Sequence, residues 1–218
     1  MAGLGWYNAN RGINAKERAV NLEHLVVALA AVGFSLSLPG RPVAQPTHDS
    51  GGTMNRTQAE AVAPKDFDFL VGKWRVHHRR LKERLASSNE WIEFEGTSVV
   101  QKVMGGFGIA DDNVLELPGG TYRAAGLKSF DPQSGQWSIW WLDGRMPLGP
   151  LDPPVRGKFA NGVGTFFADE AFNGIPIHVR FTWSEITPAS CHWEQAFSTD
   201  GGTTWETNWR MDFERAAS

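Results

Sequence analysis

The chain has 218 residues, 41% of them hydrophobic, with 24 glycines, 12 prolines, 10 tryptophans and a formal charge of −3. That apolar content is enough for a core and excludes global disorder. The single cysteine excludes a disulfide framework and any multi-thiolate metal site, and the slightly acidic balance argues against a nucleic-acid partner held through its phosphates.

Composition changes near Pro64. Residues 1–64 are expected to form a poorly ordered N-terminal extension, because the Gly/Pro/Ser/Thr-rich stretch from Pro39 to Thr53 cannot offset its ordering entropy. The apolar run at 25–38 is shorter than the roughly 20 residues of a membrane span, so stable membrane insertion is not expected. Its length suits a signal h-region, preceded by Arg11, Lys16 and Arg18 but also by Glu17 and Glu23. Three origins stay open: a secretion signal, a misplaced start with Met54 as the true one, and a genuine N-terminal helix. A signal implies a secreted or periplasmic protein, and a start at Met54 a cytoplasmic one.

Residues 65–218 carry every tryptophan but Trp6 and change to a period of two. Ile175, Ile177, Val179, Phe181 and Trp183 alternate with polar residues, as do Trp205, Thr207, Trp209, Met211 and Phe213. Turn chemistry separates such runs, notably Ala160-Asn-Gly162, Phe172-Asn-Gly174 and Thr199-Asp-Gly-Gly202. The spacing predicts strands near 73–84, 90–102, 110–117, 121–130, 136–142, 155–160, 163–169, 175–186, 190–198 and 203–214. Without crossover helices these form an all-β antiparallel meander, and closing it into an up-and-down barrel removes its edges.

Alternation assigns the faces. Trp74, Val76, His78 and Arg80 share the inner one. A turn centred near Ser87 pairs Arg79 with Glu95, Arg80 with Phe94 and His78 with Gly96. The basic run Arg75–Arg84 then reads as a solvated face balanced by Glu93 and Glu95 rather than as an anion patch. The predicted interior is aromatic, with Trp74, Phe94, Trp141, Phe181, Trp183, Trp193, Trp205 and Trp209 joined by His78, Arg80, Gln195 and Thr207. Aromatic walls with a few convergent polar groups fit a small-molecule cavity; a core filled by its own tryptophans is the competing description.

Gly72-Lys-Trp74, following Phe67-Asp-Phe-Leu-Val71, resembles the first strand of calycins. In lipocalins and fatty-acid-binding proteins the tryptophan of this Gly-x-Trp closes the barrel floor and packs on an arginine near the last strand. The resemblance implies that role for Arg210 or Arg215. Residues 66–216 resemble more closely a bacterial lipocalin-like family of unknown function, through Asp66–Trp74, Trp140-Trp-Leu-Asp-Gly-Arg145, Trp193–Gly202 and Trp205-Glu-Thr-Asn-Trp209. That family implies a fold and no chemistry. The haem-binding nitrobindin branch carries further glycines after its Gly-x-Trp and a histidine near the chain end. Lys73–His78 lacks those glycines and His192 precedes the last strand, so no haem is expected.

His77 and His78 are adjacent on a strand and face opposite sides, so they do not form an interior metal site, and no cofactor is expected. The same divergence separates Cys191 from His192. Asp111-Asp112 lies at a strand start, where a desolvated carboxylate would serve acid–base chemistry and a solvated one would not. Asp143-Gly-Arg145 reads as a local ion pair or, through Arg145, as a contact for a ligand carboxylate or phenolate. Pro147–Pro154 reads as a lid over one barrel end.

The leading expectation is a barrel that binds a small apolar or aromatic molecule. Phe94, Trp141, Arg145, Trp193, Gln195, Thr207 and Trp209 contact it, and His78 and Arg80 orient its polar end. The alternative is a cofactor-independent cyclase, isomerase or hydratase with His78, Arg80 or Asp112 in its chemistry. A third is a structural domain. A homodimer stays open.

Overall fold

The computed structural model describes residues 62–149 and 151–217. The run at 25–38, the Pro39–Thr53 stretch and Met54 lie outside the described residues. Ten strands follow one another: β1 (Gly72–Leu81), β2 (Trp91–Val103), β3 (Gly108–Leu117), β4 (Gly120–Asp131), β5 (Gln136–Asp143), β6 (Val155–Ala160), β7 (Val163–Phe172), β8 (Ile175–Ser184), β9 (Ser190–Ser198) and β10 (Glu206–Arg215). Each pairs antiparallel with the next, and β10 returns to β1, closing the barrel. The all-β antiparallel barrel expected from the alternation is therefore present. No described helix is long and apolar enough to cross a membrane.

Turn chemistry closes the tightest hairpins. Asn161-Gly162 and Asn173-Gly174 each hold φ of 52° and 79°, two left-handed residues in succession that match the twist of the flanking strands. The Asp200 carboxylate accepts from the backbone N–H and the hydroxyl of Thr204 in the turn before β10, and these bonds hold it at about 2.

One end is plugged as the Gly-x-Trp resemblance implies. Trp74 Nε1 donates to Leu70 O at 2.7 Å, and the Arg215 guanidinium lies 4.1 Å from the Trp74 ring centroid. Arg215 also donates to the carbonyls of Phe69, Val71 and Pro188 at 2.8, 2.9 and 2.8 Å. Arg210, the other residue considered for this role, lies instead over Trp91.

Two predicted details are corrected. The β1–β2 register is shifted by two residues, pairing His78 with Phe94, Arg79 with Glu93 and Arg80 with Ile92. A shift of two keeps every face, so the charge balance survives with new partners: His77 bonds Glu95 at 2.8 Å and Arg79 bonds Glu93 at 3.0 Å. The second correction is in β10, where the register breaks between Thr207 and Trp209. The extra residue at this bulge is Asn208, and it reverses the alternation before it. Thr207 pairs with Ala196, on the side opposite Gln195, and Trp205 lies under Arg180 at 4.4 Å beside Phe167. Neither belongs to the inner set predicted for it.

Between β5 and β6 the wall is incomplete. Only Trp137, Ile139 and the intervening Ser138 pair with β6, whereas β5 continues to Asp143 paired with β4 alone. Asp152 and Pro153, just before β6, line a cavity at this split.

Candidate functional site

Two chambers of about 50 Å³ each lie inside the barrel and share Ile139 and Trp141 as lining. The outer chamber lies behind the β5–β6 split. Arg84, Asp152, Glu170 and Gln195 are its polar lining, among Val155, Phe172, Val179 and Phe197. The inner chamber is lined by Trp141, Trp183, Trp193, Trp209 and Met211, with Asp111, Asn113 and Lys128 on its opposite wall. A wider depression of about 440 Å³ beside Phe69, Phe159 and Ile186 is open to solvent, and its one carboxylate, Asp66, accepts from Trp137 Nε1 at 3.0 Å.

Strand alternation explains the polar lining of the inner chamber. On β4, Tyr122, Ala124, Gly126, Lys128 and Phe130 share one face, so the Lys128 ammonium enters the interior. Asp111 on β3 meets it in a buried ion pair, and Asn113 Nδ2 donates to the second Asp111 oxygen at 2.8 Å. Gly126 is the cross-strand partner of Asp111, and a Cβ there would overlap the Asp111 carboxylate. The glycine thus makes the space that the ion pair occupies.

The predicted aromatic and amide residues gather here. Trp193 and Trp209 meet edge to face with centroids 5.7 Å apart, and Trp141 meets Trp209 at 6.3 Å. Gln195 Nε2 donates to Asn208 Oδ1 at 2.7 Å, so the residue inserted at the bulge supplies its amide partner.

His78 lies in the wall beside this group. Its ring stacks on Phe94 at 4.6 Å with 7° between planes, and its Nδ1 accepts from Trp209 Nε1 at 3.3 Å. Burial, with Arg80 and His77 adding repulsion, pushes it down to about 3. His78 is therefore a neutral hydrogen-bonding residue near neutral pH, poorly suited to the acid–base role considered for it. Arg80 lies 5.6 Å from the Phe94 centroid and 5.4 Å from that of Trp209, and Tyr122 hydrogen-bonds it. Burial lowers its pKa from the usual guanidinium range.

Two candidates are engaged elsewhere. Asp112 points outward and pairs with Arg123 at 2.8 Å on an exposed surface, whereas its neighbour Asp111 is the interior carboxylate. The correction follows from alternation along β3, where Ile109, Asp111, Asn113 and Leu115 share the inner face. Arg145 makes the local ion pair: its Nε and Nη2 reach Asp143 at 2.9 and 2.5 Å, and its guanidinium lies 3.7 Å over Tyr122. Cys191 is buried and pushed up to about 12 by that burial, while His192 bonds Asp212 at 2.6 Å.

The outer chamber holds residues that sequence reasoning missed. Burial, assisted by Asp152, pushes the Glu170 carboxyl up to about 7. Burial and then Arg80 bring Arg84 down to about 9. The signal for Glu170 was its place in step with Phe166, Ala168 and Phe172, but β7 is three residues longer than the predicted 163–169. Among the described residues no group of three or more His, Cys, Asp or Glu is arranged to hold a metal ion.

No protein-family model and no curated protein matches the chain. Among solved structures it is similar to the S-type phycobiliprotein lyase CPES from Guillardia theta. The TM-score is 0.49 at 11% identity, covering 70% of this chain and 91% of that one. The fold rests on the strand pairings themselves.

Proposed function

We propose that the barrel binds a small apolar or aromatic molecule in its interior, entering at the β5–β6 split. The observation that carries this is the polar lining of the two chambers on either side of Trp141. A barrel filled only for stability has no need of an interior Asp111–Lys128 pair, a carboxyl at Glu170 lining a chamber or buried indole N–H groups without acceptors. Each costs free energy to desolvate, and such costs are retained where a ligand uses them. Trp141 and Ile139 line both chambers, so displacement of the Trp141 ring joins them. Joining is required, because a void of about 150 Å³ is what admits a single benzene ring.

Titration with isopropylbenzene, followed by calorimetry and tryptophan emission, tests the proposal. Saturable binding of one molecule per chain is expected, weakened at least tenfold by Val179→Phe, which narrows the outer chamber. Absence of saturable binding, or equal binding by the folded variant, leaves a structural domain as the better description.

The enzymatic alternative is favoured by one observation, the placement of Glu170 in a chamber shared with Arg84 and Asp152, where burial pushes its carboxyl up to about 7. A group titrating at working pH is suited to general acid–base catalysis in a cofactor-independent isomerase, cyclase or hydratase. In that case Glu170 replaces His78 and Asp112 as the proton-transfer group. A carbon-13 titration of the Glu170 carboxyl tests this, and an ordinary carboxylate midpoint removes the alternative.

A further inference from the structure

We propose that the inner chamber is a subsite for a neutral oxygen acceptor, of the ketone, ester or ether class, received by the indole N–H groups of Trp141 and Trp183. The inference rests on the binding proposal above and names the chemistry of its ligand.

Four other indoles show how this protein treats a tryptophan N–H. Trp74 donates to Leu70 O, Trp137 to Asp66, Trp205 to Gly202 O and Trp209 to His78. Trp141 and Trp183 differ. Their Nε1 atoms are buried and have no hydrogen-bond partner among the described residues, and both rings line the same chamber. Trp183 is only 4% exposed, so bulk water does not supply the missing acceptor. A buried indole N–H ordinarily has a partner, and leaving one unmet is costly.

The other lining groups do not fill the gap. The Asp111 carboxylate already takes Lys128 on one oxygen and Asn113 on the other. The ligand must therefore bring the acceptor. Its charge is set by the same pair: Asp111 and Lys128 are the charged residues lining this chamber, and each neutralises the other. A carboxylate or ammonium ligand entering here would be buried without a counter-charge. A neutral carbonyl or ether oxygen meets the donors without that penalty, and the surrounding Trp193, Trp209, Met211 and Phe213 suit a flat apolar body.

Three probes of one ring each separate the possibilities: acetophenone, its near-isostere isopropylbenzene, and benzoate. Acetophenone is expected to bind the full chain at least tenfold more tightly than isopropylbenzene or benzoate. Trp183→Phe and Trp141→Phe remove one N–H each while keeping an aromatic ring. Each is expected to cut the preference for acetophenone over isopropylbenzene severalfold, whatever the change in isopropylbenzene affinity itself. In nitrogen-15 spectra, with the indole signals assigned through those variants, acetophenone should move the Trp141 and Trp183 N–H proton resonances downfield, as a new hydrogen bond does, and isopropylbenzene should not.

Equal affinity for acetophenone and isopropylbenzene overturns the inference and leaves the binding proposal standing, with ordered water then the partner of the two indoles. Benzoate binding as tightly as acetophenone also overturns it, as does a preference that survives both substitutions. If none of the three binds, the binding proposal falls and this inference with it.

Discussion

Trp209 Nε1 donates to His78 Nδ1 at 3.3 Å, which fixes His78 as the neutral tautomer with its proton on Nε2. Gly96 leaves the space for the imidazole, since a Cβ there would crowd His78 Nε2 at 2.8 Å. The ring is held between Phe94 and Trp209 with Arg80 beside it, so protonation would bury a second positive charge.

A pH dependence of stability follows. His78 titrates at about 3 in the fold against 6.5 in the unfolded chain, so the unfolded state binds the extra proton between those values. Its contribution is complete above pH 6.5 and is lost as pH falls toward 3, at about 1.4 kcal/mol per pH unit. Denaturant unfolding at pH 7 and pH 5 should show a smaller loss in His78→Asn than in the wild type. Equal losses would mean that His78 is protonated within the fold.

The Asp111–Lys128 pair should be destabilising to break and cheap to remove whole. Lys128→Met leaves a buried carboxylate without its cation and is expected to cost about 3–5 kcal/mol. Adding Asp111→Asn should restore much of that loss, because two neutral groups then occupy the site. Denaturant midpoints of the two single variants and the double variant check this. A Lys128→Met cost under about 1 kcal/mol would show that water reaches the pair.

The architecture was legible because one face of every strand is buried, which enforces a period of two, and because Asn-Gly pairs mark the hairpins. The aromatic lining at Trp141, Trp193 and Trp209 followed from the same alternation. Thr207 and Trp205 were misplaced because one inserted residue, Asn208, reverses the faces before it, and bulges of this kind leave no composition signal. Composition does not separate Asp111 from Asp112; the alternation running back along β3 from Leu115 turns Asp111 inward and Asp112 outward. Lys128 was visible in principle as a charge in step with Tyr122 and Phe130. Its partner was not, because the β3–β4 register sets which carboxylate it meets.

Glu170 carries the opposite pH signature to His78. Its carboxyl titrates near 7 in the fold against 4.5 as a free group, so the folded state holds the extra proton between those values. This stability is fully present below 4.5 and is lost as pH rises through 7, at about 1.4 kcal/mol per pH unit. Glu170→Gln keeps the shape and removes the titration. The variant should be more stable than the wild type at pH 8 and nearly equal to it at pH 5. A thermal-melt comparison at the two pH values decides it, and an unchanged difference between them would place the carboxyl in solvent.

Gly126 should prove indispensable only while Asp111 is present. A methyl group at position 126 meets the Asp111 carboxylate, which Lys128 and Asn113 hold in place, so it has nowhere to move. Gly126→Ala is expected to cost about 1–3 kcal/mol through overpacking. In a background carrying Asp111→Ala and Lys128→Met both the obstruction and the charge are gone, and the same substitution should cost little. The difference between the two backgrounds is a coupling energy read directly from denaturant midpoints. Equal costs in both would mean that the penalty at Gly126 comes from its backbone alone, and that the glycine does not make room for the interior carboxylate.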